Sequence, residues 1–536
     1  MSNGRFKQGI DRGQGSLLPP RVEDYVGADN PVRAIEAYAD GIDLVALGFA
    51  HAGRGPCAGQ PPYNPGDLLK LYLYGYLNRV RSSRLLEREA VRNLEVIWLL
   101  RGQQPGYRTI AKFRAENAAA LRAANRDFVR LLGRLELLGG ELVAIDGSFF
   151  DASASKSSVM TARRLGERLA ALDRDIDAYA ASLAAGDAAD VGEPAGGDGD
   201  AGAAMAALLA RRAATAQALD ELKASGQTQR GTTDPDARLL SKSGQSLCGY
   251  NVQIAVDAAH KLIVASDVVN DGNDTGQLHA LAAAAKASLA VETLRVVADV
   301  GYHNGETLRA CEADGIEAFV ERPERGRQLP AEGRFGSASF TYDATDDAYR
   351  CPAGAMLRPL SRPVQDRTGK WRTRYVSHRS ACRSCPLRAQ CLSSRGDRRM
   401  IERWEHEAVV ERHRARMAGA EAMAVLRRRK ALVEHPFGTL KCRAGYRHFL
   451  VRGFAKVRGE WGLMALCYNL TRVINIIGMA AFIAWIVRLD ALVAPSRAIA
   501  TLRTLLARRT TPHNQRAATT PIWFPRTPKT PEIQHA

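Results

Sequence analysis

The sequence predicts a mixed α/β protein that begins with a helical region. Apolar residues recur at helical spacing over residues 1 to about 140, and two short apolar runs, 142–145 and 294–298, each lead into an aspartate. Between residues 250 and 320, strand patterns alternate with helical ones. A chain of 536 residues with 46% apolar and 25% charged residues is long enough for two or more domains and a sizeable core.

The net charge of +18 is the most informative feature of the composition. Such an excess favours a polyanionic partner, above all nucleic acid, over the alternative of a generally basic protein. The polar N-terminal stretch lacks the apolar core of a signal peptide. The most apolar stretch, 473–487, is shorter than the roughly 20 residues that cross a bilayer. Nine cysteines in such a chain do not indicate a disulfide scaffold, so we expect a cytoplasmic protein.

The residue pattern of the N-terminal region predicts three helices where the helical spacing of apolar residues is clearest. The run 64–67, Asn-Pro-Gly-Asp, is a helix-start signal, Ser82 or Ser83 is a cap for a second helix, and Thr109 is a cap for a third. Short helices with a basic third member fit a helix-turn-helix-like DNA reader, and an ordinary helical bundle with solvated arginines is an equal alternative. The basic side chains of the third helix are Arg108, Lys112 and Arg114.

Residues 141 to 320 carry the pattern of the mixed sheet. A buried strand at 142–145 is followed by Asp146-Gly147, which we expect to end it. Residues 160–230 interrupt the pattern with two helices around a tip rich in Gly, Ala and Asp, so we predict a helical hairpin with a spacing or self-association role. The elements predicted after it are strands at 250–256 and 262–265, a helix at 275–289, a strand at 294–299, a helix at 305–313 and a strand at 316–320.

A segment that contains cysteines interrupts the pattern again before the C-terminal helices. Four thiolates with a Cys-x-x-Cys pair are a ligand set for structural zinc, and free reduced thiols are the alternative. Residues 403–442 and 455–489 read as helices, the first strongly basic, and we predict disorder from about residue 506. The cysteines of this candidate site are Cys351, Cys382, Cys385 and Cys391.

Three acidic residues are candidates for a metal site. Two-metal phosphoryl transfer needs about three carboxylates around two divalent cations, and hard cations such as magnesium prefer oxygen ligands. Asp146 and Asp299 each follow a predicted strand, and Glu434 lies in a predicted helix. The alternative is that the aspartates only terminate strands and that the glutamate forms a surface ion pair. Competing acidic residues are Asp151, Asp267, Asp274 and Glu460.

Several stretches between residues 61 and 470 resemble a known family, the DDE transposases of bacterial insertion sequences. The stretch around Glu434 is the most specific, because Lys441 follows it by seven positions, which places both on one helical face. The matching stretches are PPYNPGDLLKLYLYGYLNRVRSSRLLEREAVRN, LVAIDGSFF, DPDARLL, GYNVQIAVD, VVADVGYHN, VEHPFGTLK and RHFLVRGFAKVRGEWGLMALCYNL.

The resemblance implies both an architecture and a catalytic site. It implies a helical transposase domain at 1–140, a ribonuclease H-like catalytic domain at 141–475 with insertions at 160–230 and 345–400, and a C-terminal helix with a basic tail at 476–536. It implies that Asp146, Asp299 and Glu434 are the catalytic carboxylates and ligands of Mg²⁺ or Mn²⁺.

The resemblance also implies DNA contacts close to Glu434. In the family the lysine that matches Lys441 is thought to contact DNA near the cut. Many relatives carry a Tyr and an Arg just before the Glu, whereas this chain has no Tyr close upstream. We predict phosphate binding by the basic run that stands there, which would make DNA affinity fall steeply with salt. The run consists of Arg427, Arg428, Arg429 and Lys430.

The implied function is that of a transposase that acts in the bacterial cytoplasm, on the nucleoid and not at a membrane. It would bind the terminal inverted repeats of its own element, cleave double-stranded DNA with a metal ion, and transfer the 3′ end to target DNA. Because two DNA ends must be held together, a homo-oligomer is expected. The alternatives are a nuclease of the same fold without strand transfer, and an inactive DNA-binding protein of a degraded element.

Overall fold

The computed structural model has a mixed α/β fold, as the sequence predicts. Most of the predicted hairpin tip (190–197) and the predicted disordered tail lie outside the described residues. The structure describes residues 21–53, 61–189, 198–242, 244–323, 333 and 335–489.

The N-terminal region is helical, and nearly all of its second helix is buried. That helix begins where the sequence predicts, because the Asn64 side chain accepts a hydrogen bond from the Gly66 N–H at 2.8 Å. The helix predicted to start at Thr109 begins instead at Tyr107, with Gly106 as its N-cap. The helices are α1 (Pro31–Gly41), α2 (Pro65–Leu77), α3 (Ser83–Arg92), α4 (Leu94–Leu99), α5 (Tyr107–Glu116) and α6 (Ala118–Arg134).

The first strand leads into a helical hairpin. Strand β1 (Leu142–Asp151) runs well past Ile145, so Asp146-Gly147 does not end it as predicted. Two long helices then pack against each other, as the helical patterns predict. The elements of the hairpin are β2 (Val159–Thr161), α7 (Ala162–Ala189), α8 (Asp198–Ala224) and β3 (Gln229–Gly231).

The main sheet has six strands and mixed directions. Its order is β4-β5-β1-β7-β8, and β6 also pairs with β5. Strand β1 is antiparallel to β5 and parallel to β7, which is parallel to β8. The elements after the hairpin are β4 (Arg238–Lys242), β5 (Gln245–Asp257), β6 (Ile263–Val269), α9 (Leu278–Leu289), β7 (Leu294–Ala298), α10 (Gly305–Ala313) and β8 (Ile316–Val320).

The segment that contains the cysteines forms a second, smaller sheet. Its order is β12-β13-β11-β10-β9, with β14 also paired to β13, and it has a small aromatic core of its own. Its elements are β9 (Thr341–Asp343), β10 (Ala348–Arg350), β11 (Met356–Pro359), β12 (Val364–Gln365), β13 (Trp371–Ser377), α11 (Arg379–Arg383), α12 (Arg388–Cys391) and β14 (Met400–Trp404).

The last helices close the main sheet and join it to the N-terminal helices. The long helix α15 packs on α6, α2 and β6, and its Asn469 side chain bonds both the N–H and the C=O of Ile263 at 2.9 Å. The apolar helix predicted over 455–489 is two helices, which meet at a bend of 109° beside Gly478. The helices are α13 (Glu407–Met417), α14 (Ala420–Gly438), α15 (Phe454–Ile477) and α16 (Met479–Leu489).

The described helices were also compared with the length of a membrane span. None of them is by itself long and apolar enough to cross a bilayer, and only the bent pair α15–α16 reaches that length and composition together.

The two faces of the main sheet are covered by different helices. Because successive side chains in a strand point to opposite faces, Val143 and Ile145 share a core with α9 and α10. Ala144 instead joins the core that contains residues of α14 and α15. The face under α14 is the one on which Asp146 lies, since Asp146 has the same parity as Ala144.

Candidate active site

Strands β1 and β7 bring two of the predicted acidic residues together. The strands are parallel neighbours, and Ala144 pairs with Val297. The same offset, carried two residues further, sets Asp146, which lies within β1, beside Asp299, which directly follows β7. Each carboxylate accepts a hydrogen bond from the next backbone N–H, at 2.9 Å for Asp146 and 2.7 Å for Asp299. Both aspartates are thereby held at neighbouring positions on rigid strands.

One arginine of α14 contacts both aspartates. The Nη1 atom of Arg429 lies 3.9 Å from an Asp146 oxygen, and its Nη2 atom lies 3.8 Å from an Asp299 oxygen. These are ion-pair distances, longer than hydrogen bonds. The side chains are all partly exposed, at 21% for Arg429, 23% for Asp146 and 47% for Asp299. The site therefore includes two carboxylates that share one partly exposed guanidinium.

A buried polar network lies behind this pair. The Asn251 and Gln253 side-chain amides both donate to the same oxygen of Asp274, at 2.8 and 2.6 Å, and the Tyr302 hydroxyl donates to the Gln253 carbonyl oxygen. Burial raises the pKa of Tyr302 well above its ordinary value, and the negative charges of Asp274 and Asp146 raise it further. The Tyr302 hydroxyl therefore stays protonated and acts as a donor.

Gly147 allows the side chains of Gln253 and Asp274 to lie close to the backbone of β1. A Cβ atom at that position would lie 2.3 Å from the Gln253 amide nitrogen and 2.6 Å from the Asp274 oxygen, so no other residue fits without a shift. Sequence reasoning named Asp274 only as a competitor and missed Asn251 and Gln253. The signal that was available is the alternation of polar residues 251 and 253 within an otherwise apolar strand.

The third predicted carboxylate does not join the two aspartates in this structure. Glu434 is 63% exposed and lies 3.8 Å from Lys430, one turn earlier in α14. It follows Arg429 by five positions, which corresponds to about 140° around the helix at 3.6 residues per turn. Among the described residues, no group of three or more His, Cys, Asp or Glu side chains is arranged to hold a metal ion.

Lys441 follows α14 and its side chain contacts strand β1. The α-helix ends at Gly438, and residues 439–443 form a π turn, which breaks the periodicity behind the predicted shared face. The Lys441 ammonium donates to the Ser148 hydroxyl at 2.6 Å and lies 4.4 Å from the centre of the Phe150 ring. It is held close to Asp146 along the same strand.

The basic run of α14 divides between two faces of the helix. Arg427, Arg428 and Lys430 are exposed, whereas Arg429 faces the aspartates. Arg429 thus lies beside the candidate site, at a position set by the helical period of the buried residues around it, and its contact with DNA phosphate stays a prediction.

The basic residues of α5 also fall into two groups, exposed and buried. Arg108 and Lys112 are exposed. Arg114 is 7% exposed, donates to the Tyr76 hydroxyl at 3.3 Å and lies 3.7 Å from Glu460, so its predicted DNA contact is inconsistent with its burial. Glu460 is fully buried in the same network, which removes it as a competitor for the metal site.

The four predicted zinc ligands line one cavity beside the small sheet. All four are partly exposed and free of disulfide bonds, and the Ala355 N–H donates to the Cys351 sulfur at 3.2 Å. Burial raises the pKa of Cys391, and the neighbouring Cys382, Cys351 and Cys385 raise it further, while Arg399 lowers it. The structure gathers the four thiols without forming a closed ligand set.

Comparisons with known proteins agree with the resemblance seen in the sequence. Residues 350–474 match a family model described as "Transposase DDE domain", and residues 20–116 match one described as "Transposase domain (DUF772)". No curated protein matches the chain. A solved structure, the cryo-EM structure of the piggyBac transposase synaptic complex with hairpin DNA, is similar at 9% identity and a TM-score of 0.32, over 92% of this chain and 87% of that one.

Proposed function

We propose that this chain, a DNA transposase of the DDE type found in insertion sequences, cuts and joins DNA at the site built on Asp146 and Asp299. Its substrates would be the terminal inverted repeats of its own element and a target duplex. The observation that carries the proposal is the strand register, which sets the two aspartates side by side in a chain with two transposase matches.

The donor set suits a hard divalent cation. Proteins with this DDE domain use divalent metal ions, and we propose Mg²⁺ or Mn²⁺ on the carboxylate oxygens of Asp146 and Asp299. The fit is supported by the guanidinium that already lies beside both carboxylates, because the pair accommodates a positive charge. When bound, such ions activate water and stabilise the leaving oxygen.

The residues of the chain would position and hold the reactants. Asp146 and Asp299 are fixed on strands, so they can orient an attacking oxygen without rearrangement. Glu434 is the proposed third ligand, and because it faces solvent here, its recruitment requires α14 to move when DNA and metal bind. The 3′ hydroxyl released by the first cut would then attack the target phosphodiester at the same site.

The DNA would lie across the exposed basic positions. Arg427, Arg428 and Lys430 form the proposed phosphate contacts beside the site, with Lys441 near the cut. Arg108 and Lys112 are the proposed contacts of the N-terminal helices. Counterion release from the phosphates would make this binding strongly dependent on salt.

The architecture proposed for this reaction is a ribonuclease H-like core within 141–475, with the hairpin and the small sheet as insertions and the helices of 1–140 as the DNA-binding domain. Support comes from the order of the core strands: three antiparallel strands β1, β5 and β6, then β7 and β8 parallel to β1. Two ends must be cut together, so we also propose a homo-oligomer on DNA.

We further propose a structural zinc ion among Cys351, Cys382, Cys385 and Cys391. Their shared cavity and the N–H···S contact at Cys351 support it, and loading would have to draw the sulfurs together. Metal analysis of the purified protein should give about one zinc per chain, lost in the double variant Cys382→Ser/Cys385→Ser. A zinc content near zero in the wild type leaves four free thiols instead.

The decisive experiment is cleavage of labelled end-DNA with Mg²⁺ or Mn²⁺ by the wild type and by Asp299→Asn. We expect nicking at the element end to fall by about 10²–10³-fold in the variant, the size expected for loss of one preorganised electrostatic group. DNA binding should persist. Asp175→Asn, on the exposed surface of α7, is the matched control and should cut like the wild type.

Other outcomes would select a different function. Nicking without joined products from paired ends would identify a nuclease. Binding without any nicking would identify an inactive DNA-binding protein. Equal nicking by the wild type and Asp299→Asn would contradict the role proposed for Asp299.

A further inference from the structure

Arg429 differs from the other members of its basic run in what it faces. The buried residues of α14 include Ala422, Val425, Leu432 and Val433, and Arg429 falls on the same face at the i+4 and i+3 spacings. Its neighbours in the run point to solvent. A guanidinium is thus directed at the sheet from a position where a buried helix face ordinarily carries an apolar side chain.

The contact that Arg429 makes is electrostatic and loose. One guanidinium spans both aspartates, with a different nitrogen toward each, at 3.9 and 3.8 Å. Two carboxylates held side by side repel each other, and a cation between them relieves part of that repulsion. At these distances and exposures the pairing stabilises the fold little, so the guanidinium is easily displaced.

We propose that Arg429 is a placeholder cation: it offsets part of the negative charge of Asp146 and Asp299 in the metal-free protein and competes with the divalent ion for them. The inference rests on the proposed function, because it takes the two aspartates as metal ligands. A fixed positive charge beside the carboxylates lowers their affinity for another cation, and the metal is favoured only once the arginine moves away. Arg429 is in this sense a positioning residue that sets the threshold for metal loading.

The test is a Mn²⁺ titration of the full-length chain without DNA, followed by the electron paramagnetic resonance signal of free Mn²⁺. Arg429→Gln should bind Mn²⁺ about tenfold more tightly than the wild type, because a unit charge about 4 Å from the ligands is removed. Arg428→Gln loses the same charge one position away on the exposed face, and screening should keep its effect below about twofold. Purely structural damage would weaken binding, so a gain in affinity distinguishes the two roles.

Further variants distinguish an error in the proposed metal site from an error in the role proposed for Arg429. Asp299→Asn should weaken Mn²⁺ binding, and if it binds like the wild type, the proposed metal site itself is wrong. If Asp299→Asn weakens binding but Arg429→Gln behaves like Arg428→Gln or binds less tightly, only the placeholder role is wrong. Should Arg429→Gln not fold, Arg429→Met also removes the charge and keeps an unbranched side chain, and tighter Mn²⁺ binding supports the role while unchanged or weaker binding overturns it.

Discussion

Two clusters in this protein join carboxylates to arginines, and they are built in opposite ways. In the first, Glu460 is fully buried and accepts hydrogen bonds from the Tyr76 hydroxyl at 2.8 Å and the Leu450 N–H at 2.9 Å. The guanidinium groups of Arg81 and Arg114 each lie 3.7 Å from it. The lone pairs of this carboxylate are satisfied, and helices α2, α5 and α15 meet around it.

In the second cluster, Asp146 and Asp299 share Arg429 at similar ion-pair distances of 3.9 and 3.8 Å, but all three side chains are partly in contact with water. Buried charges need tight and complete pairing, since any loss leaves a charge without solvent. Exposed charges can exchange partners at little cost. The comparison indicates that the first cluster holds the fold together, whereas the second is suited to take up other cations.

The largest expected effect is on the stability of the fold, and it follows from removal of the buried carboxylate of Glu460. Glu460→Ala leaves two buried guanidinium groups unpaired and should lower the free energy of unfolding by about 3–5 kcal/mol. Glu434→Ala, which removes an exposed carboxylate, should change it by less than about 0.5 kcal/mol. Urea unfolding followed by circular dichroism measures both. Similar values for the two variants would contradict the structural role of the buried cluster.

The second prediction concerns His413, an ionisable side chain that is buried without an oppositely charged partner among the described residues. The pKa of His413 is lowered to about 4, mainly by burial and in addition by the nearby His303 and Arg416. Because the folded pKa lies below the unfolded one of about 6.5, the stability contribution is complete above pH 6.5 and is lost as pH falls toward 4.

We therefore expect the wild type to lose about 1–3 kcal/mol between pH 6.5 and 4 from this group. Thermal unfolding across that range should show a flatter pH dependence in His413→Leu than in the wild type. His378→Gln, at an exposed position, is the control and should keep the wild-type slope. An unchanged slope in His413→Leu would show that His413 is not held neutral by burial.

The smallest stability effect is expected on the exposed face of α14. Lys430→Gln should alter the free energy of unfolding by less than about 0.5 kcal/mol. Its effect should appear instead in DNA binding, where the slope of log affinity against log salt falls by about one for each lost phosphate contact. Fluorescence anisotropy with end-DNA at several salt concentrations measures this slope. A slope equal to that of the wild type would remove Lys430 from the proposed contacts.

Local patterns in the sequence predicted most of the main sheet. The runs that became β5, β7 and β8 were apolar and bounded by turn residues, and such signals depend on neighbours in the chain. The helix start at Asn64 was equally local, because the cap and the backbone it bonds lie two residues apart. The expectation that Asp146 and Asp299 lie on neighbouring strands followed from the same reasoning, and the register sets them side by side, although β1 continues past Asp146.

The features that the sequence did not reveal depend mainly on partners that are far away in the chain. Arg114 looked like a DNA contact because Glu460, 346 positions later, is invisible to a local pattern. Glu434 and Lys441 were predicted to share one helical face, because the change to π geometry at Thr439 has no clear local signal in the sequence. Arg429 was predicted together with the rest of its basic run, although the spacing of the apolar residues around it could have placed it on the buried face.

The packing of α15 against the N-terminal helices also bears on how the chain is made. Helix α6 ends at Arg134 and α15 begins at Phe454, so about 320 residues must be synthesised between them. At about 5–20 residues per second, this takes roughly 16–64 s. During that time the apolar faces of α2 and α6 lack the helix that covers them in the finished protein. A message cut short before residue 454 would therefore yield N-terminal helices with exposed apolar surface, a substrate for chaperones and proteases rather than a competing DNA binder.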